Sequence, residues 1–211
     1  HRDLHLSLRR QRQMCIRDRD IKKRFPVVCS VDTYKASVAR MALDEGCEIV
    51  NDISGFGFDR EMPGVVAEYS AGVVLMHIKG TPRDMQRDPH YEDVVSEVYR
   101  YLEERVSKAL DAGIPLERIA VDPGIGFGKR LEDNLALLKN LSVFRSLGTT
   151  VLVGASRKSF IGLLTGANVQ DRVPGSLAAL GYAVIGGVGV VRVHDVKESV
   201  QFLKVMTSIR G

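Results

Sequence analysis

The sequence predicts an α/β fold in which parallel strands alternate with helices. Short runs rich in β-branched residues recur along the chain, and longer segments with helical periodicity separate them. The strand runs are apolar on both faces, which is typical of a buried parallel sheet. With 211 residues, 45% of them hydrophobic, the chain is long enough for one domain with a substantial core.

Six strands are predicted, and one helical pattern stands out between them. The strands lie in the runs PVVCSVDT, CEIVNDIS, GVVLMH, RIAVDPG, TTVLVGAS and VGVVRVHD. The longest helical pattern is YEDVVSEVYRYLEERVSKALDAG, at residues 91–113. Gly46, Gly72 and Gly113 each follow a helical pattern and precede a strand, so we interpret them as helix ends.

The positive charge is concentrated at the N-terminus. The net charge is +4, but residues 1–24 hold nine Lys/Arg and three Asp/Glu, which leaves 21 basic and 23 acidic residues elsewhere. A nucleic-acid-binding body is therefore not supported. We interpret residues 1–24 as a disordered basic leader and residues 25–211 as the domain. The run CIRDR at residues 15–19 resembles a translated sequencing adapter, and we hypothesise that part of the leader is non-native.

The sequence favours a cytoplasmic protein without a membrane partner. No run of about 18 apolar residues is present, as a membrane-spanning helix needs. The leader lacks the apolar segment of a secretory signal. Cys15, Cys29 and Cys47 form no C-x-x-C pair, which argues against a disulfide framework or a zinc site and suits a reducing compartment.

Each predicted strand ends in polar side chains. The carboxyl ends of parallel strands share one edge of a sheet, and in a barrel they converge on the mouth where substrates bind. A single such residue is about as often a helix cap or a turn former, but the pattern recurs in all six strands. The residues are Asp32, Asn51, Asp52, His77, Asp122, Ser156, Lys158, Arg192, His194 and Asp195.

The glycine-rich run VDPGIGFGK, residues 121–129, matches neither of two phosphate-binding patterns. A Walker A loop needs glycine at position 123 and Ser or Thr after the lysine, but Pro123 and Arg130 stand there. A dinucleotide fingerprint that starts at Gly124 needs glycine at position 129, which is lysine. We therefore predict that Asp122 ends a strand and that the glycines let a tight loop fold close to the ligand of Asp122.

Six motifs in this order resemble the dihydropteroate synthase family: SVDTYKASVA, IVNDISG, LMHIKGTPRDMQ, VDPGIGFGK, LVGASRKSFIG and VVRVHDV. The resemblance covers about residues 26–208. It implies a TIM (β/α)8-type barrel that condenses p-aminobenzoate with 6-hydroxymethyl-7,8-dihydropterin diphosphate. The products are dihydropteroate and diphosphate, in folate biosynthesis, and the family is the target of sulfonamides.

The resemblance also implies roles for individual residues. Asp122 would accept hydrogen bonds from the N–H groups of the pterin, and Lys158 would face its ring carbonyl. Asp32 and Asn51 would complete the polar contacts, and Ile53, Met76 and Gly154 would line the ring faces. Arg192 and His194 would bind the departing diphosphate, together with Mg²⁺. Ser156 and Ser159 would hold the aminobenzoate carboxylate, and Phe127 would border its ring.

Two family segments have no counterpart in the chain. The signatures N-V-T-P-D-S-F-S-D-G-G and E-S-T-R-P-G, which belong to the first two βα units, are missing, so about six of eight units are expected. The metal ligand of the family lies in the first of these segments, and no metal ligand is predicted in this chain. We expect an N-terminally incomplete barrel with little or no activity, and a homodimer for the full-length protein.

Two other functions stay open at this stage. A pterin-binding methyltransferase of corrinoid metabolism has a similar barrel but does not need the SRK and RVHD motifs. A noncatalytic pterin-binding fragment is the other alternative. Among the unassigned residues, His77 is interpreted either as a site contact or as a cap, His90 as an exposed loop residue, and Lys129 and Arg130 as solvated loop charges.

Overall fold

The computed structural model describes residues 21–22 and 24–210. Of the predicted leader, residues 1–20 and 23 lie outside the described residues. The CIRDR run, on which the hypothesis of a non-native origin depends, is among them. Lys22 is described, and its ammonium pairs with the carboxylate of Glu48. Glu48 also accepts a hydrogen bond from the Cys29 N–H at 2.9 Å.

Six strands alternate with helices, as the sequence predicted. The strands are β1 (Ser30–Asp32), β2 (Ile49–Asp52), β3 (Gly72–Met76), β4 (Ile119–Asp122), β5 (Thr150–Val153) and β6 (Val190–Val191). The helices are α1 (Ala36–Asp44), α2 (Met62–Glu68), α3 (Val94–Asp111), α4 (Leu131–Lys139), α5 (Ser159–Thr165), α6 (Val173–Ile185) and α7 (Val196–Arg210). Short 3-10 helices occupy Leu116–Arg118, Leu141–Leu147 and Val169–Asp171. Every strand lies inside one of the predicted runs.

The chain divides into two compact units. The first unit contains the described residues up to Leu75 together with Arg105–Ile119. Its strands are parallel and lie in the order β1, β2, β3, with Val31 opposite Val50 and Asn51 opposite Val74. Fully buried apolar side chains form its core: Val50, Phe56, Met62, Val66, Leu75, Ile114 and Ile119.

The second unit contains Met76–Glu104 and the described residues from Ala120 onward. Its strands β4, β5 and β6 are parallel in that order, with Val121 opposite Val151 and Val153 opposite Val191. The chain that leaves β3 joins this unit, where the His77 N–H donates to the Asp122 carbonyl at 3.0 Å. Its core includes Leu102, Ile125, Leu137, Leu141 and Phe144.

The start of α3 shows how the sequence determines a helix. The Asp93 carboxylate accepts the N–H of Val95 at 3.0 Å, which satisfies a donor of the first turn, and Glu97 accepts the N–H of Glu92, just before the helix, at 2.8 Å. The helix then buries an apolar residue at each four-residue step, the spacing that the predicted pattern contained. These residues are Val94, Val98, Leu102 and Val106.

One predicted helix end is wrong. Gly72 is the first residue of β3, and the left-handed position after α2 belongs to Ser70, whose φ is 50°. The interpretation holds for Gly46 and Gly113, with φ of 94° and 85°. Across the part of the chain that the structure describes, no helix is both long and apolar enough to cross a membrane.

Candidate active site

The carboxylate of Asp122 is the centre of the candidate site in the second unit. It lies at the end of β4 and is only 6% exposed. Its Oδ1 accepts the N–H of Gly124 at 2.7 Å. Burial raises the pKa of Asp122 to about 6, although the Gly124 hydrogen bond and the positive charges of Lys158, Lys129 and Arg192 oppose that rise. The site therefore holds a carboxyl group that titrates close to neutral pH.

The loop after Asp122 needs its glycines, as the sequence predicted. Gly124, Gly126 and Gly128 all have left-handed φ values, of 71°, 82° and 63°. A Cβ on Gly124 would lie 2.0 Å from the His77 carbonyl oxygen, and one on Gly128 would lie 2.4 Å from the Lys79 carbonyl oxygen. No side chain fits at these two positions unless the backbone moves.

Side chains from three segments fix this glycine loop. Asn134 of α4 accepts the Gly126 N–H at 2.6 Å. Gln86 donates to the Gly126 carbonyl at 2.9 Å, and the buried Tyr91 hydroxyl donates to the Gly128 carbonyl at 2.7 Å. Hydrogen bonds of this kind hold the loop, and with it Asp122, in one conformation before any ligand binds.

The turn after β5 brings Lys158 to this loop. The Lys158 ammonium lies 4.1 Å from the centroid of the Phe127 ring, a cation–π distance. Burial lowers the pKa of Lys158, and the Asp122 charge opposes that shift. The turn has an unusual backbone, since Arg157 adopts a left-handed φ of 56°. Arg172 donates to the carbonyl of Arg157 at 3.1 Å and so supports this conformation from the start of α6.

Two contacts join the turn after β5 to the turn after β6. The Ser156 Oγ accepts the backbone N–H of His194 at 3.2 Å and lies 3.0 Å from its Nδ1. The Arg157 guanidinium pairs with the Asp195 carboxylate, with Nε 2.9 Å from Oδ2. This ion pair lowers the pKa of Asp195. The SRK and RVHD motifs are therefore held together by hydrogen bonds and an ion pair.

The remaining predicted residues of the second unit occupy different environments. Met76 is 2% exposed at the end of β3, and a Cβ on Gly154 would lie 3.7 Å from the Arg192 Cβ. Ser159 is exposed at the first residue of α5. Arg192 is exposed beyond β6, and its charge acts on Asp122.

The predicted residues of the first unit lie at the ends of β1 and β2. The Asn51 Nδ2 donates to the Asp32 Oδ1 at 2.6 Å. Asn51 is 5% exposed, and its Oδ1 has no hydrogen-bond partner among the described residues. Ile53 is half-buried beside them in sequence. Asp52 has a local structural role, because its carboxylate accepts the N–H groups of Ser54 and Phe56 at 2.8 and 2.9 Å.

The interpretation of Lys129 as a solvated charge is wrong. Lys129 is 4% exposed, and its Nζ lies 2.9 Å from the His77 Nδ1 and 3.0 Å from the Phe127 carbonyl oxygen. His77 is buried, and its ring packs edge-on against Tyr101 at 4.8 Å between centroids. It also lines a polar cavity of about 420 Å³.

Sequence reasoning missed this buried pair because both residues border a turn, where polar side chains are usually solvated. The available signal was the lysine itself, because residues 123–128, which precede it, are all small or apolar. The two other unassigned residues are exposed, as expected: His90 lies in a loop, and Arg130 pairs with Asp133 at 3.1 Å at the start of α4.

The described residues, 21–22 and 24–210, contain no group of three or more His, Cys, Asp or Glu side chains that could hold a metal ion. The side chains near Asp122 are mainly cationic, and such a set suits an anionic ligand group. The arrangement offers a buried carboxylate together with Lys158 and Arg192 at the ends of three consecutive strands.

Comparison with known proteins identifies the class. Residues 14–194 match the model of the pterin-binding enzyme family, and the chain belongs to that family. The match begins inside the predicted basic leader.

Within this family, the relatives are dihydropteroate synthases. The enzyme of Synechocystis sp. is 41% identical over 190 residues, which are 90% of this chain and 66% of that protein. The Yersinia pestis enzyme, solved in a sulfonamide drug complex, is 36% identical with a TM-score of 0.88, over 92% of this chain and 70% of that one. The Xanthomonas albilineans enzyme, solved in complex with 7,8-dihydropteroate, is 39% identical with a TM-score of 0.86, over 92% and 71%.

These matches confirm the predicted family and fold class. The described residues supply six of the eight parallel strands of a (β/α)8 barrel, each followed by helical structure. The chain spans 66% of the length of the curated relative described above.

Proposed function

We propose that this protein is a dihydropteroate synthase, which condenses p-aminobenzoate with 6-hydroxymethyl-7,8-dihydropterin diphosphate. One observation carries the proposal: the buried Asp122, the last residue of β4, lies within reach of the positive charges of Lys158 and Arg192, which follow β5 and β6. A reduced pterin diphosphate has N–H donors, a ring carbonyl and an anionic tail, and these groups match a carboxylate and two cations.

The pterin would be recognised by its polar edge. The Asp122 Oδ1 is bound by Gly124, which leaves Oδ2 to accept from a pterin N–H, while the Lys158 ammonium faces the ring carbonyl. We also propose Asp32, Asn51, Ile53, Met76 and Gly154 as further pterin contacts, as the resemblance implies.

The diphosphate would be bound by Arg192 and His194. The Ser156 Oγ lies 3.0 Å from the His194 Nδ1, and in the tautomer in which this hydroxyl donates to Nδ1 the ring proton lies on Nε2. We propose that His194 binds in this tautomer, with Nε2–H donating to a phosphate oxygen. We propose that Mg²⁺ arrives with the diphosphate and neutralises part of its charge.

The reaction exchanges one bond for another at the methylene carbon of the pterin. The aminobenzoate nitrogen forms a bond to this carbon, the carbon–oxygen bond to the diphosphate breaks, and its electron pair leaves with the diphosphate. The amine loses one proton to solvent or to the departing group. Arg192 and His194 stabilise the charge that develops on the leaving oxygen. Phe127, Ser156 and Ser159 are the proposed aminobenzoate contacts.

Calorimetry and a turnover assay on the same protein test the proposal. We expect the pterin diphosphate to bind, and binding to weaken at least about tenfold in Asp122→Asn, since a hydrogen bond to a charged group is lost. Release of diphosphate that depends on p-aminobenzoate supports a synthase. Methyl transfer from a folate to a corrinoid protein, or no binding of any pterin, would contradict it.

We also propose that the protein forms a homodimer through an apolar face of the second unit. A groove of about 390 Å³ lies among α4, α5 and α6, and exposed Leu164 and Tyr182 line it. Leu163 and Ile185 are 69% and 64% exposed on the same helices. The resemblance to a dimeric family favours a second copy as the occupant, because a continuous apolar surface is rarely left in water.

Sedimentation velocity tests this surface. Ile185→Asp is expected to give a monomer, whereas Leu110→Asp, which changes an equally apolar exposed residue of the first unit, is expected to leave the dimer intact. A monomeric wild-type protein, or a dimer that survives Ile185→Asp and Leu164→Asp together, would show that something else covers the groove.

A cytoplasmic location remains a proposal as well. Cys29 and Cys47 are thiols, and no disulfide joins cysteines within the part of the chain that the structure describes. Thiols persist in a reducing compartment, which is where the proposed small-molecule substrates would be consumed. Fractionation of the native host with an antibody to the protein tests this location.

A further inference from the structure

The buried lysine Lys129 has no part in the reaction proposed above. A lysine that is 4% exposed is rare, because an ammonium group loses most of its hydration on burial. Its Nζ is held by the Phe127 carbonyl oxygen at 3.0 Å and by the His77 Nδ1 at 2.9 Å. Both contacts fix the ammonium at one position inside the second unit.

That position is next to the loop that carries Asp122. A Cβ placed on Gly124 would lie 3.4 Å from the Lys129 Nζ, and the Gly124 N–H is bound to Asp122. Lys129 is therefore close enough to act on the carboxylate by charge, while its own hydrogen bonds go to other groups.

Phe127 connects two lysines that have different environments. Its ring contacts the Lys158 ammonium at 4.1 Å, and its carbonyl oxygen accepts from Lys129. Lys158 is half-buried, so a ligand can reach it, whereas Lys129 is sealed. Lys158 is thus suited to bind substrate, whereas Lys129 is suited to stay bound inside the protein.

We propose that Lys129 is a positioning residue that keeps Asp122 in its carboxylate form from inside the protein, so that Lys158 can turn to the pterin. The inference rests on the proposed function. When Lys158 bonds to the pterin carbonyl, it shares its charge with that carbonyl, and Asp122 then needs a second cation that no ligand displaces.

The charges around both groups agree with this role. Asp122 faces Lys158, Lys129 and Arg192, and all three lower its pKa. Lys129 faces two carboxylates, Asp122 and Asp133, and two ammonium groups, Lys158 and Lys79, and it also contacts His77. Burial lowers the pKa of Lys129 to about 7, and Asp122 is the strongest opposing charge. Removing the Lys129 charge must therefore raise the pKa of Asp122.

The direct test is a carboxyl carbon NMR titration of Asp122 in the full chain labelled at aspartate, without ligand. Lys129→Met is expected to move the Asp122 midpoint upward by about one to three pH units, the usual effect of losing a close opposite charge. Lys129→Arg keeps a cation and is expected to restore a lower midpoint. Lys204→Met removes an exposed lysine of α7 and is expected to change nothing.

Wild-type protein provides a second measurement in case Lys129→Met does not fold. Its Asp122 signal should show a main inflection near pH 6 and a smaller one near pH 7, when Lys129 loses its proton. An Asp122 midpoint that is unchanged in Lys129→Met, or a wild-type signal with a single inflection up to about pH 11, would overturn the proposal.

Pterin binding separates a positioning role from a structural one. If Lys129 acts through the charge of Asp122, Lys129→Met shifts the acid limb of the affinity profile to higher pH, and Lys129→Arg moves it back. Equal weakening at every pH would indicate only structural damage and would contradict the inference. Because the titration uses protein without ligand, absence of pterin binding would refute the proposed function and leave this result standing.

Discussion

Arg157 Nε donates to Asp195 Oδ2 at 2.9 Å, and this ion pair joins the turn that carries Lys158 to the turn that carries His194. Arg157→Leu and Asp195→Asn are each expected to weaken binding of the pterin diphosphate by about tenfold or more, because a small misplacement of Lys158 and His194 is costly. The melting temperature should fall only moderately, since the pair is partly open to solvent, with side-chain exposures of 30% for Arg157 and 14% for Asp195. Calorimetric affinities and thermal unfolding of both variants and of the double variant provide the check.

The double variant gives the control for this pair. If the two residues act only through each other, it should lose no more affinity for the pterin diphosphate than either single variant. Additive losses would show that the ion pair is not what connects the two turns.

Gly124→Ala is expected to be much more destabilising than Gly166→Ala. Both glycines have nearly the same left-handed φ, 71° and 72°, so both variants incur a backbone strain of about 1 kcal/mol. Only at Gly124 does the added methyl group collide with a carbonyl oxygen, that of His77, whereas nothing lies within 4 Å at Gly166. We expect a further loss of about 1–3 kcal/mol at Gly124. Urea unfolding measures both, and equal losses would contradict the clash.

Asn51→Asp is expected to destabilise the first unit at pH 7 more than at pH 5. The Asn51 Nδ2 is 2.6 Å from the Asp32 Oδ1, so the substitution would place two carboxylates in contact. At lower pH they can share one proton, which relieves the repulsion. Unfolding free energies at the two pH values, with Asp32→Asn in the same background as the rescue, check this expectation.

The stability of the protein should fall between about pH 4 and pH 6 because of Asp122. Its pKa is raised to about 6 in the folded state, so the folded protein binds the proton more tightly than the unfolded chain does. Stability is therefore greatest while Asp122 is protonated and declines as it ionises, by at most about 3 kcal/mol in total. Asp122→Asn should abolish this component. Urea unfolding of both proteins from pH 4 to pH 8 measures the difference between their free energies of unfolding. This difference should be constant above about pH 6.

The strands could be predicted from the sequence because burial on both faces selects β-branched runs. All six predicted runs contain the observed strand, and Gly124 and Gly128 after Asp122 occupy positions that exclude a side chain. The strands and the loop glycines depend on local sequence, so the local sequence is sufficient to predict them. Gly72 was misjudged because Ser70 adopts the left-handed conformation that glycine usually provides.

The connections within the site depend on the folded chain, and the sequence could not reveal them. Lys129 is 52 positions from His77, and Arg157 is 38 positions from Asp195. Nothing in either local pattern shows that the members of each pair meet. Ser156 was predicted to hold a carboxylate of the substrate, while the structure places its hydroxyl on His194. Its role toward the substrate stays a prediction.

The pH dependence of pterin diphosphate affinity, measured by calorimetry on wild-type protein and Asp122→Asn, tests the central claim most directly. The wild-type affinity should be constant above about pH 6, the pKa of the buried carboxyl group, and should fall below it by about tenfold per pH unit. The Asp122→Asn protein should bind weakly, with no such acid limb. An acid limb that is unchanged in Asp122→Asn, or equal affinity in the two proteins at pH 7, would contradict the assignment of Asp122 as the group that binds the pterin.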